Sequence, residues 1–279
     1  MKNQRFMRFP EFKRKALTLS YDDGVKFDKR LIEIMDRYGL KGTFNINTGL
    51  FAAQEGEWRL TEKSAVELYA NSPHEIAVHG YEHFSLAVMD EAVAVNDVLE
   101  DRKNLERIFG RIVRGMAYAN GSYSDQVVEI LKMCGIKYSR TTVSTRNFAI
   151  PTDWLRLPAT CHHADPQLME LAKRFVEEKD TPYYWGNSCR LFYLWGHSYE
   201  FNNQDNWEVI EEFAKYVGGR EEIWYATNGE IYDYIEAFDR LVFSAQGDRV
   251  YNPTCTVLYM DYFGKQYVVA PGESIELKK

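Results

Sequence analysis

Short apolar runs alternate with amphipathic segments along most of this chain, and that rhythm limits its fold more than any other feature. "KALTLSY" (15–21) reads as a strand, and 27–38 reads as a helix stopped by Gly39. "GTFNIN" (42–47) is a second strand. "LTEKSAVELYAN" (60–71) has the capped start and apolar spacing of a helix. "HEIAVH" (74–79), "VRGMAYA" (113–119), "IKYSRTTV" (136–143), "CRLFYLWGH" (189–197) and "EIWYAT" (222–227) read as further strands. Helical patterns fall between them at 91–109, 124–134, 166–178, 206–217 and 228–241, the last with Thr227 or Asn228 as its cap. Only 144–165 is irregular. Strands that alternate with helices in this way build a parallel sheet with helices outside it. The number of units favours an α/β barrel over 1–240. From about residue 241 the pattern changes to apolar–polar alternation around Asn-Pro and Pro-Gly turns. A small C-terminal antiparallel β appendage over 241–279, packed on the same domain, is expected.

A length of 279 residues suits one such barrel, and 45% hydrophobic content allows a large core. A net charge of -7 argues against a nucleic-acid partner and does not favour an anionic membrane. The chain has no apolar stretch of membrane length and opens on basic and polar residues, so a cytoplasmic location is expected. Cys134, Cys161, Cys189 and Cys255 form no Cys-x-x-Cys pair and read as reduced, mostly buried residues.

In a parallel barrel, reactive groups sit at the C-terminal ends of the strands. The first strand delivers Asp22 and Asp23 there, the third delivers His79 and the following His83, and "LFYLW" delivers His197. If the chain turns helical after the third strand, His79 and His83 share one side and can hold one metal. Asp23 is the natural third ligand. Asp22 beside it can take a proton from a bound water, and the cation relieves the repulsion between the two acids. His197 can protonate a leaving group. Asp-Asp-Gly is also an ordinary turn, and His-x-x-x-His an ordinary helix face. Their joint placement at strand ends is what favours chemistry, and the chemistry it favours is metal-assisted hydrolysis.

"LTLSYDDG", "HEIAVHGYEHFSL" and "LFYLWGHSYEF" resemble the first, second and fifth motifs of the polysaccharide deacetylases, over about 15–201. The resemblance implies a distorted (β/α)7-type barrel and one divalent ion, zinc first. It implies Asp22 as general base, His197 as general acid, and Asp23, His79 and His83 as metal ligands. The family's third motif, Arg-Pro-Pro-Tyr-Gly, is replaced by "AYANG" (117–121). Ala117 therefore stands where an arginine orients the base, and Asn120 stands where a backbone N–H meets the oxyanion. Arg140, at the end of the fifth strand, is the candidate to reach Asp22 instead. Asp153-Trp154 is a candidate fourth motif in a weakly matching context.

Other substrate-binding candidates are His162 and Glu200, with Tyr118, Trp195 and Tyr199 as a stacking wall for a sugar. Core packing is the competing reading for each aromatic. The expected activity is removal of an N-acetyl group from an amino sugar or oligosaccharide. A hydrolase for a small non-sugar amide using the same metal site, and a non-catalytic carbohydrate-binding relative, remain alternatives. The appendage can cover one barrel end, contact substrate, or join two copies into a homo-oligomer.

Overall fold

The computed structural model describes residues 5–179 and 188–278. A first strand, β1 (Arg5–Arg8), precedes the alternating units. These begin with β2 (Lys15–Asp22), α1 (Asp28–Arg37), β3 (Gly42–Ile46), α2 (Glu62–Tyr69), β4 (Glu75–Val78) and α3 (Glu91–Phe109). They continue with β5 (Gly115–Ala117), α4 (Asp125–Met133), β6 (Tyr138–Ser144), β7 (Leu157–Ala159), β8 (Cys161–His162) and α5 (Leu168–Glu177). Next come β9 (Arg190–Gly196), α6 (Ser198–Asn203), α7 (Glu208–Val217), β10 (Ile223–Tyr225) and α8 (Asn228–Asp239). The tail carries β11 (Val242–Phe243), β12 (Arg249–Tyr251), β13 (Leu258–Tyr262), β14 (Lys265–Val269) and β15 (Ser274–Glu276). Local signals set several boundaries. Thr61 with Ser64 and Thr227 with Glu230 close capping boxes at the starts of α2 and α8. Ser124 caps α4, and the left-handed Gly110 ends α3.

The parallel strands run in the order β7-β6-β5-β4-β3-β2-β9-β8. No ladder joins β7 to β8, but the two are consecutive pieces of one extended run. That run pairs with β6 through β7 and with β9 through β8, so the ends of the sheet meet on it. The edge of β2 away from β9 is shared: its first residues pair with β10 and its last with β3. These two irregularities are what distort the expected α/β barrel.

Alternation along β2 places Leu17, Leu19 and Tyr21 in the apolar layer shared with the helices, while Ala16, Thr18, Ser20 and Asp22 alternate with them on the barrel side. The interior ladder is polar, and several of its side chains bond to one another. Asn45 donates to Ser20 (2.9 Å), and Thr18 donates to Asn228 (3.0 Å). Asn228 donates in turn to Tyr193 (2.6 Å). The start of α8 thus plugs the lower end of the barrel, where the amide of Gly229 also donates to the half-buried Glu75 (2.8 Å).

The tail forms antiparallel β structure as expected, in two small sheets. One of them includes β1, which pairs with β13 from Arg5 opposite Tyr262 to Arg8 opposite Tyr259. A second apolar core joins Phe9, Tyr193, Ile231, Tyr234, Met260 and Val269, tying the tail to α8 and the barrel. All four cysteines are free, three of them buried. Among the described residues no helix is long and apolar enough to cross a membrane.

Candidate active site

Strand ends bring Asp22, Asp23, His79 and His197 to one rim. Arg140 does not end its strand as the sequence suggests: it is the third residue of β6, level with Ala117 at the end of β5. Asp22 is the last residue of β2 and is buried. It accepts a hydrogen bond from Asn45 Nδ2 on one oxygen (2.8 Å) and a close ion pair from Arg140 on the other. Arg140 comes from β6, adjacent to the strand that carries Ala117. Its guanidinium lies 4.3 Å from the Trp195 ring. Burial pushes the Asp22 carboxyl upward, but Arg140, helped by His79 and His197, outweighs it and holds the pKa at about 2. Asp22 is therefore ionised at neutral pH while shut off from bulk water. The Nε2 atoms of His79 and His197 each stand 3.8 Å from it.

Asp23 turns away because its backbone is left-handed (φ 84°), and its amide donates to the Asn45 carbonyl (2.9 Å). Its carboxylate lies 3.7 Å from His83 Nε2. Arg59, which the sequence reading missed, donates to the Asp23 carbonyl (2.6 Å) and touches its carboxylate (3.3 Å).

The chain does not become helical after β4, so helical spacing is not what pairs His79 with His83. Gly80 (φ 84°) and His83 (φ 58°) fold the segment back, and the two rings meet edge to face at 4.9 Å. A Cβ at position 80 would stand 2.5 Å from Asp97 Oδ2, so only glycine fits there. Two acids on α3 pin this turn. Asp101 accepts from the His79 amide (3.0 Å) and from the Thr48 amide and hydroxyl. Asp97 accepts from the Glu82 amide (2.7 Å). Asn47 adds bonds to the carbonyls of His79 and Gly80. Asp23, His83 and Asn120 are all non-glycine residues with positive φ, a backbone state held only where surroundings enforce it.

One donor atom from each of Asp23, His79 and His83 lies within 4.8 Å of the others. His79 Nδ1 sits 2.9 Å from the Ala117 carbonyl, which fixes a proton there and leaves Nε2 free to ligate. Burial, with His79 nearby, pulls the His83 pKa down to about 4, so its ring is neutral at pH 7. Two imidazoles and one carboxylate fit a divalent cation.

The remaining candidates divide. Trp195 is at the rim, between Arg140 and His162. Tyr199 packs on the Trp58 ring at 4.9 Å and on His197 at 5.1 Å, and Trp58 is 39% exposed. Asn120 is exposed beside the histidine turn, and its amide donates to Ser85 Oγ (3.1 Å) and to the His83 carbonyl (3.4 Å). Tyr118 does not belong to a stacking wall. It is buried, stacks on Tyr123 and donates to the Leu155 carbonyl (2.7 Å). Asp153 caps the turn at Leu155 and pairs with Arg156, while Trp154 packs on Tyr232. Glu200 Oε2 lies 3.2 Å from His162 Nε2 and 2.7 Å from His163 Nε2, and Glu200 and His162 are both half-buried.

Asn45 and Asn47 had a legible signal, since polar residues alternate at the end of an apolar strand. Asp97 and Asp101 had one too, as an acid pair four apart on the buried face of α3. Arg59 had none.

Fold and site together define an α/β barrel with a cation-fitting acid–histidine cluster on its C-terminal rim. The polysaccharide deacetylase family model matches residues 10–139, the part that carries Asp22, Asp23, His79 and His83, and over those residues the chain is similar to that family. An Arthroderma benhamiae protein described as a peptidoglycan-N-acetylglucosamine deacetylase is 27% identical over 130 residues. That match covers 44% of this chain and only 27% of the relative's length. Two solved structures show the fold. A Mycobacterium smegmatis chain described as a polysaccharide deacetylase has TM-score 0.60 at 16% identity, covering 83% of this chain and 93% of its own. Puue allantoinase has TM-score 0.60 at 15% identity, covering 81% and 91%.

Proposed function

We propose that the chain is a metal-dependent hydrolase that removes the acetyl group from an N-acetylated amino sugar or oligosaccharide. The observation that carries this reading is the pairing of an ionised, arginine-held Asp22 with a cation-fitting set beside it and His197 opposite. The similarity to polysaccharide deacetylases over 10–139 supports it.

Asp23, His79 and His83 would hold the ion, with zinc the cation such donors suit. When bound, the ion supplies Lewis-acid polarisation of the acyl carbonyl and makes an adjacent water more acidic. Asp22 takes a proton from the attacking water, as a buried carboxylate with one oxygen held by Arg140 can do at neutral pH. The backbone near Asn120 offers a donor to the developing oxyanion. As the carbon–nitrogen bond breaks, His197 delivers a proton from Nε2 to the departing amine. Trp58 and Tyr199 offer aromatic faces for a sugar ring on the His197 side.

The test is acetate release from a panel of N-acetylated mono- and oligosaccharides, run beside small non-sugar amides, with metal content measured on the same preparation. Acetate from the sugars, lost on chelation and restored by a divalent cation, is the expected result. Metal with turnover only of the small amides would move the activity to that class. An absence of bound metal and of any turnover would leave a carbohydrate-binding protein.

A further inference from the structure

Five of the six histidines in the chain gather at this rim, and three of them converge on one carboxylate. Glu200 sits in the first turn of α6, three residues after His197, which occupies the N-cap position. Its Oε1 lies 3.1 Å from His197 Nδ1. Its Oε2 lies 2.7 Å from His163 Nε2 and 3.2 Å from His162 Nε2. The proton positions follow from the surroundings. His162 Nδ1 accepts the Ala164 amide (3.1 Å), so the neutral ring carries its proton on Nε2, facing Glu200. The His163 ring is 3% exposed and wedged against Phe201 and against Gly196, where a Cβ would stand 2.1 Å from its Nδ1.

His197 is thus suspended between two acids, with Nδ1 toward Glu200 and Nε2 toward Asp22. Carboxylates only accept hydrogen bonds. A neutral imidazole would turn a bare nitrogen lone pair toward one of them, whereas an imidazolium turns an N–H toward each, in a hydrogen bond to Glu200 and a charge contact with Asp22 at 3.8 Å.

We propose that Glu200 is a positioning residue: with His162 and His163 packed against its Oε2, it holds the His197 ring through Nδ1 so that a protonated Nε2 stands in the cleft opposite Asp22. The part this plays in turnover rests on the deacetylase reading; the geometry does not. The groups facing His197 agree with it. Asp22, Asp23 and Glu200 favour its charge, burial opposes it, and the balance raises its pKa above the usual histidine value. His162, 6.3 Å away ring to ring, is pulled down to about 4 by burial, with His163 beside it, and adds little competing charge. Tyr199 and Trp195 are the neutral neighbours.

A second cation held by His162, His163 and Glu200 is the rival reading, since their donor atoms also lie within 4.8 Å of one another. The 2.7 Å between His163 Nε2 and Glu200 Oε2 is shorter than that reading allows. Two ligand atoms of one tetrahedral zinc stand about 3.3 Å apart at ordinary bond lengths.

The experiment is histidine-ring NMR on the full chain with excess zinc, comparing wild type, Glu200→Gln and Glu200→Asp, with circular dichroism and a melting curve for each. The wild-type His197 should carry protons on both nitrogens at pH 7. In Glu200→Gln its titration should fall by about a unit or more, with kcat down roughly 10- to 100-fold and KM little changed. Glu200→Asp should recover part of both. A His197 titration that ignores Glu200→Gln, or two zinc ions per chain with the second lost in that variant, would overturn the proposal. Because the NMR is read whether or not acetate is released, a failure of the deacetylase reading is distinguishable from a failure of this one.

Discussion

The two sides of the cleft are built on different principles. On the Asp23–His79–His83 side the side chains are placed by backbone. Left-handed residues set the turns, and Asp97, Asp101 and Asn47 hold the peptide groups around them. On the His197 side the side chains hold one another through a carboxylate and three imidazoles, with aromatic rings as walls. The first arrangement can keep ligands in place before a cation arrives, because its hydrogen bonds do not depend on the ligand atoms. The second depends on protons, and so on pH. Asp22 and Arg140 stand at the seam, and substitutions there and on either side can break the contrast or sharpen it.

Arg140→Ala should have the largest effect among the supporting residues. It leaves a buried carboxylate without its cation, a loss of about 3–5 kcal/mol. Thermal unfolding should show the drop, and residual folded protein should turn over at least 100-fold more slowly. Asp101→Asn comes next and tests the backbone-built side. It replaces one of the two oxygens that between them accept from three donors, and sets an NH2 against an N–H. Metal affinity, read by titration calorimetry, should weaken roughly 10- to 100-fold, while the His197 NMR signals stay unmoved. If those signals moved as well, the two sides would not be independent.

Asp28 offers a pH test of the proton-dependent side, because it ties α1 to the Ser198 hydroxyl at the start of α6. Burial pushes its carboxyl up to about 7, despite donors from Ser198, Tyr69 and Val25. The folded value lies above the unfolded one, so the folded form binds the proton more tightly. Stability from this group is therefore greatest below about pH 4 and falls as pH rises through 7. Melting curves should show a decline over that window, and Asp28→Asn should flatten it. The smallest effect is expected at Trp58→Ala, with KM for an oligosaccharide rising a few-fold and kcat unchanged. An equal change for a monosaccharide would show that Trp58 does not reach beyond the first ring.

Strand–helix alternation was enough to anticipate the barrel, because period-2 and period-3.6 patterns are local. The pairing of β1 with β13 was not legible, since Arg8 and Asp261 meet across 253 positions of sequence. The same divide runs through the site. Asp22, Asp23, His79, His83 and His197 stand out because they lie at or just past strand ends, whereas Arg140 reaches the rim from the third position of β6. The left-handed turn that pairs the two histidines was read as helical spacing, because His-x-x-x-His is compatible with both. Glu200 and His162 read as substrate contacts in the sequence, which lists polar residues without showing that they face one another. Tyr118 was misplaced for a related reason: strand alternation does not reveal that its hydroxyl is already taken by Leu155.

The central claim is that adjacent acids divide the work, with Asp23 serving the cation and Asp22 the proton. Zinc titration and acetate release measured together on Asp22→Asn test it most directly. The account predicts one zinc bound per chain, as in wild type, with acetate release lowered by about three orders of magnitude or more. Turnover that persists with zinc bound, or zinc lost together with turnover, would contradict it.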